Sequence, residues 1–355
     1  MKKKILFITF NNIDLPKSGG EQCSLQNYLA LKEYGNVDVY QITHQTKFKS
    51  FLSIFNLFFP PVSLFNFKEI NQLLKNNHYE TIFFDHSLLG ILVKYFTKKY
   101  RISSIVFFHN VEFDYISVRF GKNILKYPYK LLARINERYS VKYSNYSICL
   151  SERDNERIFK LYGKKCDYIF PITFIDTVKI NNIQLGQEYI NHEIVCLFVG
   201  SFIKPNYFGI KWFIDNVLDH LNVKLVIVGK GFESVRSEFQ KPNIDVIGTV
   251  DDITNYYLTS DFVISPIFSG GGMKVKVAEA LMYGKNIFGT TEAFSGYELD
   301  YDKVGGLCNS SNEFIEKINN YLSSGTKYNN YSRDIFIQKF SHSSLIINYN
   351  FLSKI

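Results

Sequence analysis

The sequence predicts an α/β protein made of two doubly wound, parallel-sheet halves that follow one another along the chain. Short apolar runs bounded by turn residues alternate with helical patterns, which is typical of βαβ units. The runs are nearly continuous stretches of Val, Ile and Phe, as expected of strands that helices cover on both faces. The chain has 355 residues, more than one hydrophobic core usually holds, so we expect two domains.

The apolar runs place the strands and the domain boundary. The predicted strands are Lys4–Phe10, Val37–Ile42, Thr81–Asp85, Ser104–His109 and Tyr146–Leu150 in the first half, and Ile194–Gly200, Lys224–Gly229, Ile244–Ile247, Phe262–Ile267 and Asn286–Gly289 in the second. The polar stretch Lys179–Glu193 is the predicted join, which gives domains over residues 1–185 and 186–338. A last helix is predicted over Ser341–Lys354, in the segment 339–355.

The composition indicates a globular protein of a reducing compartment. Hydrophobic residues make up 46% of the chain and charged residues 21%. The five cysteines are scattered and have no C-x-x-C spacing, which argues against a disulfide framework or a structural zinc site. The apolar run Ile5–Phe10 is too short for a signal peptide and is interpreted as a first buried strand. The protein is therefore expected in the cytoplasm.

The net charge of +8 is unevenly distributed. Residues 1–175 contain 25 Lys and Arg against 14 Asp and Glu, whereas the remainder contains 16 against 19. The basic first half and the mildly acidic second half are expected to face different partners.

Phe51–Phe67 carries no charge and six phenylalanines, and Pro60-Pro61 divides it. It is too short and too broken to span a bilayer as one helix. Two interpretations stay open: an interfacial or re-entrant hydrophobic surface, or a core helix with a loop.

Basic residues recur at every fourth position from Lys122 to Lys142. Pro128 is predicted in the first turn of a helix that ends near Ser144. A repeat of four residues nearly matches a helical turn, so the cations form a stripe on one face. This stripe is either a solvated face or a surface for anionic lipid headgroups at the inner membrane face, and no recognition motif supports nucleic acid. The proposed membrane or acceptor residues are Lys130, Arg134, Arg138 and Lys142.

The segment Ser269–Gly284 combines three glycines, two lysines and a glutamate directly after a predicted strand. Glycines at a helix start let the backbone approach an anion, and the free amides and the helix dipole attract it. Lys274 and Lys276 add positive charge, and Glu279, expected about two turns into the helix, suits a ribose diol. A diphosphate at the helix start with a ribose farther along matches a nucleotide sugar.

This segment resembles the motif of family 4 (group 1) glycosyltransferases, which have the two-domain B-type (GT-B) fold. The stretches around Phe198–Phe213, Val226–Gly231 and Val246–Asp252 are similar to landmarks of the family's C-terminal domain. In the first half, Ser18–Glu21 and His109–Glu112 are also similar, as is Leu150–Asp154. The resemblance implies two Rossmann-like domains that face a central cleft, with the last helix returning to the first domain.

The resemblance also implies roles for individual residues. Glu279 matches the second glutamate of the family's Glu-x7-Glu motif, but Gly271 stands where the first glutamate belongs. Since the family's usual Arg and Lys after the first C-domain strand are not plainly matched, the diphosphate charge falls to Lys204, Lys274 or Lys276. The implied donor-binding residues are Gly19, Gly20, Ser201, Lys204, Gly229, Thr249, Val250, Gly270, Gly271, Gly272, Met273, Lys274 and Glu279, and the implied catalytic residues are His109, Lys276 and Glu279.

The function expected from the resemblance is sugar transfer from a nucleotide-sugar donor to a saccharide or lipid-linked acceptor, with retention and without a metal or other cofactor. Asp300-Tyr-Asp302 is interpreted as a chance D-x-D. The alternatives are a nucleotide-sugar epimerase of the same fold and a non-catalytic partner subunit. Gly229-Lys-Gly231 lacks the third glycine of a dinucleotide fingerprint, and no Walker A motif is present.

Overall fold

A computed structural model describes residues 3–16, 18–43, 55–124, 126–178, 193–324 and 326–354. The chain forms two compact units, Met1–Phe174 with His342–Ile355, and Ile175–Ser341. The predicted boundary at residue 185 lies outside the described residues, as do residues 51–54 of the Phe-rich stretch.

The first unit is built on a parallel sheet with strand order β2-β1-β3-β4-β5-β6 among the described residues. Its strands are β1 Lys3–Thr9, β2 Gly35–Gln41, β3 Thr81–Phe84, β4 Ser103–Phe108, β5 Tyr146–Cys149 and β6 Tyr168–Ile169. The two-residue strand β6 is not predicted from the sequence, and the others match the predicted apolar runs to within a few residues. The interiors of β1, β3, β4 and β5 are buried, as expected for strands covered on both faces.

Helices surround this sheet. They are α1 Gly19–Tyr34, α2 Leu64–Asn76, α3 Gly90–Tyr100, α4 Glu112–Phe120, α5 Lys126–Tyr143, α6 Glu152–Tyr162 and α13 His342–Asn348, with short 3₁₀ segments at Ser87–Leu89 and Tyr349–Lys354. Serine side chains at residues 18, 63 and 151 accept hydrogen bonds from amides in the first turns of α1, α2 and α6, which fixes where these helices begin. The predicted C-terminal helix is therefore an α-helical segment followed by a 3₁₀ turn.

The described part of the Phe-rich stretch fits neither interpretation alone. Phe58 and Phe59 are buried in the core, and helix α2 begins at Leu64. Phe55 and Phe65, however, are 74% and 57% exposed. The stretch is a buried loop and a helix start that leave some aromatic surface in contact with solvent.

The second unit contains another parallel sheet, with strand order β12-β11-β10-β7-β8-β9 among the described residues. Its strands are β7 Val195–Val199, β8 Lys224–Val228, β9 Ile244–Gly248, β10 Phe262–Ser265, β11 Asn286–Gly289 and β12 Gly305–Leu307. Its helices are α7 Lys204–Asn216, α8 Thr254–Thr259, α9 Val275–Met282, α10 Tyr301–Val304, α11 Ser311–Ser324 and α12 Asn330–Ile335, with 3₁₀ segments at Leu218–His220 and Phe232–Phe239 and a π-helical turn at Phe336–Phe340.

A core of aliphatic and aromatic side chains lies between the second sheet and its helices. Phe198 of β7, Phe213 of α7 and Phe288 of β11 are fully buried in it. Helix α9 ends at Met282, and Gly284 follows with a left-handed φ of 60°. A Cβ at Gly284 would lie 2.4 Å from the Tyr328 ring, so both the backbone and the packing require glycine there. The predicted helix stop at Gly284 is confirmed.

Candidate functional site

The topology of the second sheet points to the carboxyl ends of β7 and β10. The chain begins this sheet at β7, adds β8 and β9 on one side, and then crosses so that β10 pairs with the other side of β7. Parallel α/β sheets bind ligands at the carboxyl ends of strands that flank such a crossover. The loop after β7 and the glycine-rich loop after β10 both lie at this edge.

The glycine-rich loop presents unpaired backbone amides. Gly272 has a left-handed φ of 62°, which glycine adopts without steric cost. The amides of Gly271 and Gly272 donate no hydrogen bond to any residue that the structure describes. Helix α9 begins only at Val275, so the glycines precede the helix by a few residues instead of opening it. The loop amides and the positive end of the helix dipole together favour an anion.

Lys274 is predicted to bind the donor, and in the structure its ammonium group is engaged by the protein. Its Nζ donates to the carbonyl oxygen of Gly272 at 2.9 Å and lies 3.4 Å from that of Gly271. It also pairs with Glu292 Oε1 at 2.9 Å, and the two side chains are only 13% and 19% exposed. Lys274 therefore holds the shape of the loop, and Glu292 neutralises its charge.

Lys276 is the buried cation of this edge. Its Nζ donates to Asn206 Oδ1 at 2.8 Å and lies 4.1 Å from the centre of the Phe198 ring. A Cβ built on Gly200 would lie 2.8 Å from the same Nζ, which places the ammonium group against the backbone after β7. Burial lowers the pKa of Lys276 to about 7, although nearby Glu279 opposes the shift. A buried cation that gains an anion would recover this desolvation cost.

Glu279 lies on the same helix, four residues after its start. This is just over one turn, and the predicted placement two turns into the helix is wrong. Its Oε2 accepts a hydrogen bond from the Tyr257 hydroxyl at 3.1 Å, and the Tyr257 ring stacks on Tyr283 with centroids 4.7 Å apart. Burial raises the pKa of Glu279 to about 7, while Tyr257 and Lys276 oppose the shift. The carboxylate is thus held by Tyr257, and its negative charge is only partly compensated.

Two further loops approach the loop after β7. A Cβ on Gly229 would lie 1.9 Å from the Gly200 carbonyl oxygen, so glycine is required where these loops meet. Thr249 donates from Oγ1 to Glu233 Oε1 at 3.0 Å, and the Gly231 amide donates to Glu233 Oε2 at 3.0 Å. Glu233, which is not predicted as a site residue, therefore connects the loops that follow β8 and β9.

The remaining predicted donor residues of the second unit lie at the same edge but differ in exposure. Ser201 and Lys204 are exposed, and the Ser201 carbonyl accepts from Asn206 Nδ2 at 2.7 Å. Met273 is buried and Val250 is partly buried. Asn206 thus links the loop after β7 to Lys276, a role that the sequence does not reveal because 70 residues separate the two side chains.

In the first unit, Gly19 and Gly20 are the first two residues of helix α1, directly after the Ser18 cap. Here too the sheet has a crossover, since β2 and β3 pair with opposite sides of β1. Thr9 Oγ1 at the end of β1 donates to Asp85 Oδ2 at 2.8 Å, just after β3.

His109 lies in this buried polar network. Its Nε2 is 2.9 Å from the Asp85 carbonyl oxygen and 3.2 Å from Asp85 Oδ1. His109 is 6% exposed and its Nδ1 has no hydrogen-bond partner among the described residues. Burial lowers the pKa of His109, but the negative charge of Asp85 and the Cys23 side chain raise it. The net result is a pKa well above the usual range of histidine. The fully buried Asp85 is a partner that the sequence alone does not reveal.

The loop after His109 is held by a buried carboxylate. Glu137 Oε1 accepts from the Glu112 amide at 2.8 Å, and Oε2 accepts from the Phe113 amide at 3.1 Å and from the Tyr162 hydroxyl at 2.6 Å. These bonds satisfy the free amides at the start of helix α4. Burial raises the pKa of Glu137 to about 8. Glu137 thereby anchors the residues that follow His109.

The predicted basic stripe lies on helix α5, with differences among its members. Arg134, Arg138 and Lys142 are exposed. Lys130 is only partly exposed, and its Nζ lies 4.1 Å from the centre of the Phe113 ring. Helix α3 adds cations beside α5, since Lys94 Nζ lies 4.4 Å from the Tyr139 ring centre and Lys98 Nζ lies 4.8 Å from that of Tyr143. These α3 lysines are not predicted from the sequence.

Within the described parts of the chain, no group of three or more His, Cys, Asp or Glu side chains is arranged to hold a metal ion. Asp300 and Asp302 pair with Lys303 and Lys317, respectively. No described helix is long and apolar enough to cross a membrane.

Residues 193–324 match the family model for group 1 glycosyl transferases. No curated protein sequence matches the chain. Among solved structures, HepE from Anabaena in complex with UDP and glucose has a TM-score of 0.69 and 13% identity, over 99% of this chain and 100% of that one.

Sucrose-phosphate synthase from Thermosynechococcus elongatus has a TM-score of 0.71 and 13% identity, over 99% of this chain and 98% of that one. The lipopolysaccharide outer core galactosyltransferase WaaB has a TM-score of 0.69 and 15% identity, over 99% and 100% of the two chains. The chain therefore has the α/β GT-B fold with two parallel six-stranded sheets.

Proposed function

We propose that this chain is a retaining family 4 glycosyltransferase that moves a sugar from a nucleotide-sugar donor to a saccharide acceptor carried on a lipid. The observation that carries the proposal is the arrangement on helix α9. Unpaired loop amides, the buried Lys276 ammonium and the Glu279 carboxylate lie in sequence at the crossover edge of the second sheet. These are the groups that a diphosphate followed by a ribose requires.

Each group has a separate role in donor binding. The loop amides and the buried Lys276 bind the diphosphate, because they supply hydrogen-bond donors and positive charge at the same edge of the sheet. Glu279 accepts from the ribose hydroxyls while the Tyr257 hydroxyl keeps its carboxylate in place. The match of residues 193–324 to group 1 glycosyl transferases supports this assignment. So do the structures of HepE with UDP and with UDP-glucose, which share the fold.

The same groups would drive the transfer. As the bond between the sugar and the diphosphate breaks, negative charge grows on the departing nucleoside diphosphate, and Lys276 and the loop amides stabilise it. In a retaining front-face transfer the acceptor hydroxyl attacks on the side that the diphosphate leaves, so positioning supplies much of the rate. The proposed reaction uses no metal ion, and transfer is expected to continue in the presence of EDTA. The roles of Gly19, Gly20 and His109 stay predictions from the resemblance.

Nucleotide binding is the decisive test. We expect UDP, GDP or one of their sugar conjugates to raise the melting temperature of the wild type, and Glu279→Ala to weaken binding by about 10- to 100-fold, because a charge-assisted hydrogen bond is lost. Calorimetry measures the dissociation constants of the nucleotide for wild type and for Glu279→Ala. Glu316→Ala is the matched control, since Glu316 is an exposed helical carboxylate of the same unit.

The outcomes separate the competing functions. Sugar transfer to an added lipid-linked saccharide supports the proposal. Turnover of a nucleotide sugar without any acceptor would indicate an epimerase, and binding without turnover would indicate a partner subunit. Equal nucleotide binding by wild type and Glu279→Ala would contradict the proposed donor site.

We also propose that the first unit associates with the inner face of an anionic membrane, where a lipid-linked acceptor is held. Arg134, Arg138 and Lys142 form an exposed cationic face on α5. At the amino-terminal end of the same helix, Tyr127 and Leu131 are 63% and 60% exposed. Exposed cations beside exposed apolar side chains are typical of surfaces that bind anionic lipid. Retention on anionic liposomes tests this proposal.

A further inference from the structure

The turn after β11 brings a second carboxylate to the glycine-rich loop. Thr290 is buried, its hydroxyl donates to the Ile267 carbonyl oxygen, and its Oγ1 accepts from the Ala293 amide at 3.1 Å. This anchors the turn against the segment that leads into the glycine-rich loop. Glu292 lies between Thr290 and Ala293 in this turn. Its Oε1 is 2.9 Å from Lys274 Nζ and 3.8 Å from a Cβ built on Gly270.

The position of this carboxylate needs an explanation, because it lies beside a loop that suits an anion. Lys274 reduces the repulsion between the Glu292 carboxylate and an anion at the loop, because its ammonium group is bonded to Glu292 and to the Gly272 carbonyl oxygen. The pair is neutral overall, so it neither attracts nor repels a diphosphate strongly. Lys276 is left as the cation that faces the loop after β7.

A carboxylate in this position matches the chemistry of the donor's sugar. The sugar is attached to the diphosphate, is uncharged in common donors and carries several hydroxyl donors. A carboxylate has about four lone-pair sites, so Glu292 can accept from a sugar hydroxyl while it keeps the Lys274 ion pair. The loop itself has no carboxylate to do this, because residues 269–274 read Ser-Gly-Gly-Gly-Met-Lys.

We propose that Glu292 binds a hydroxyl group of the donor's sugar and thereby supplies, from the neighbouring turn, the carboxylate that the glycine-rich loop lacks at position 271. This inference rests on the proposed donor site and adds a residue that selects the sugar. Glu292 contributes to recognition of the sugar and leaves binding of the nucleoside diphosphate to the loop amides, Lys276 and Glu279.

The test compares a nucleoside diphosphate with its sugar conjugate. Calorimetry measures the affinities of wild type and Glu292→Gln for UDP and UDP-glucose, and for GDP and GDP-mannose. We expect Glu292→Gln to bind the sugar conjugate roughly 10- to 100-fold more weakly, because a charge-assisted bond is lost, while the affinity for the free diphosphate changes less than about threefold. Glu298→Gln is the matched control, since its side chain is 83% exposed in the same region. Glu292→Asp, which keeps the charge, is expected to recover part of the loss.

Equal weakening of the diphosphate and its sugar conjugate would overturn the inference, because it would show that Glu292 acts only by holding Lys274 and the loop. Unchanged affinity for both would overturn it as well. Failure of the proposed donor site is recognised separately, since wild type itself would then bind neither UDP nor GDP. In that case the inference falls together with the proposed function.

Discussion

The buried ammonium group of Lys276 destabilises the second unit and suits it for binding an anion. It is 7% exposed, and its surroundings among the described residues include the Asn206 amide oxygen, the Phe198 ring and the nearby Glu279 carboxylate. If the ammonium group were removed, Asn206 would keep its bond to the Ser201 carbonyl, but its Oδ1 would lose the Lys276 donor. Because burial lowers the pKa of Lys276 from 10.5 to about 7, its positive charge destabilises the folded state at and below neutral pH. Lys276 is therefore expected to lower stability while it contributes to binding.

Lys276→Met is expected to increase the stability of the second unit and to weaken nucleotide binding. At pH 7 we expect the second unit to gain about 1–4 kcal/mol in unfolding free energy, because relief of the buried charge, at about 1.4 kcal/mol per pKa unit, exceeds the loss of the Asn206 hydrogen bond. The affinity for UDP or GDP should fall by at least about tenfold. The single tryptophan, Trp212, lies in helix α7 of the second unit, so its fluorescence during urea unfolding reports on this unit. Lys211→Met is the control, because Lys211 forms an exposed ion pair with Asp215. A variant that loses stability and keeps its affinity would contradict this role.

The pKa values of Lys276 and Glu279 predict how stability depends on pH. Since burial raises the pKa of Glu279 from 4.5 to about 7, the folded state binds an extra proton in that range, and stability falls as pH rises through it. Since burial lowers the pKa of Lys276 from 10.5 to about 7, the unfolded state binds the extra proton above pH 7, and stability rises there. From these two groups we expect a stability minimum near pH 7, measured by Trp212 fluorescence. Glu279→Gln should remove the fall on the acidic side, and an unchanged profile would contradict the assignment.

At the scale of secondary-structure elements, the sequence predicts the strands well where apolar runs are long. It fails at β6 and β12, because strands of two and three residues at the edges of the sheets, one with two glycines, have no detectable period. The start of helix α9 is also missed. Lys274 at its N-cap makes no side-chain capping bond, so no capping pattern marks the boundary.

The partners of the site residues are the part that the sequence leaves open. The glycines, Lys276 and Glu279 are found because they lie in one segment with a chemically interpretable order. Asn206, Tyr257 and Glu292 come from three other elements, and only the strand order brings them to the same edge. Likewise, Asp85 contacts His109 because β3 and β4 are neighbours in the sheet. Residue type and spacing alone do not encode such pairings.

At the scale of the whole molecule, charge is divided between the two parts of the chain. Residues 1–175 carry an excess of 11 positive charges, whereas the rest carries an excess of three negative charges. Several of these basic residues lie on α3 and α5, which pack side by side, with Lys94 and Lys98 close to the tyrosine rings of α5. A surface of this kind attracts anionic headgroups over about a Debye length and loses that attraction as salt is added.

The membrane proposal therefore makes a prediction that depends on charge. We expect wild type to sediment with vesicles containing phosphatidylserine or phosphatidylglycerol at low salt and to be released as salt increases. Each basic residue near such a surface contributes about 1 kcal/mol, so Arg134→Glu with Arg138→Glu should weaken binding by at least about tenfold. Lys160→Glu with Lys164→Glu is the control, since these exposed cations lie on α6 and just after it. Equal retention on uncharged phosphatidylcholine vesicles, or equal losses in both double variants, would show that the α5 face is a solvated helix surface.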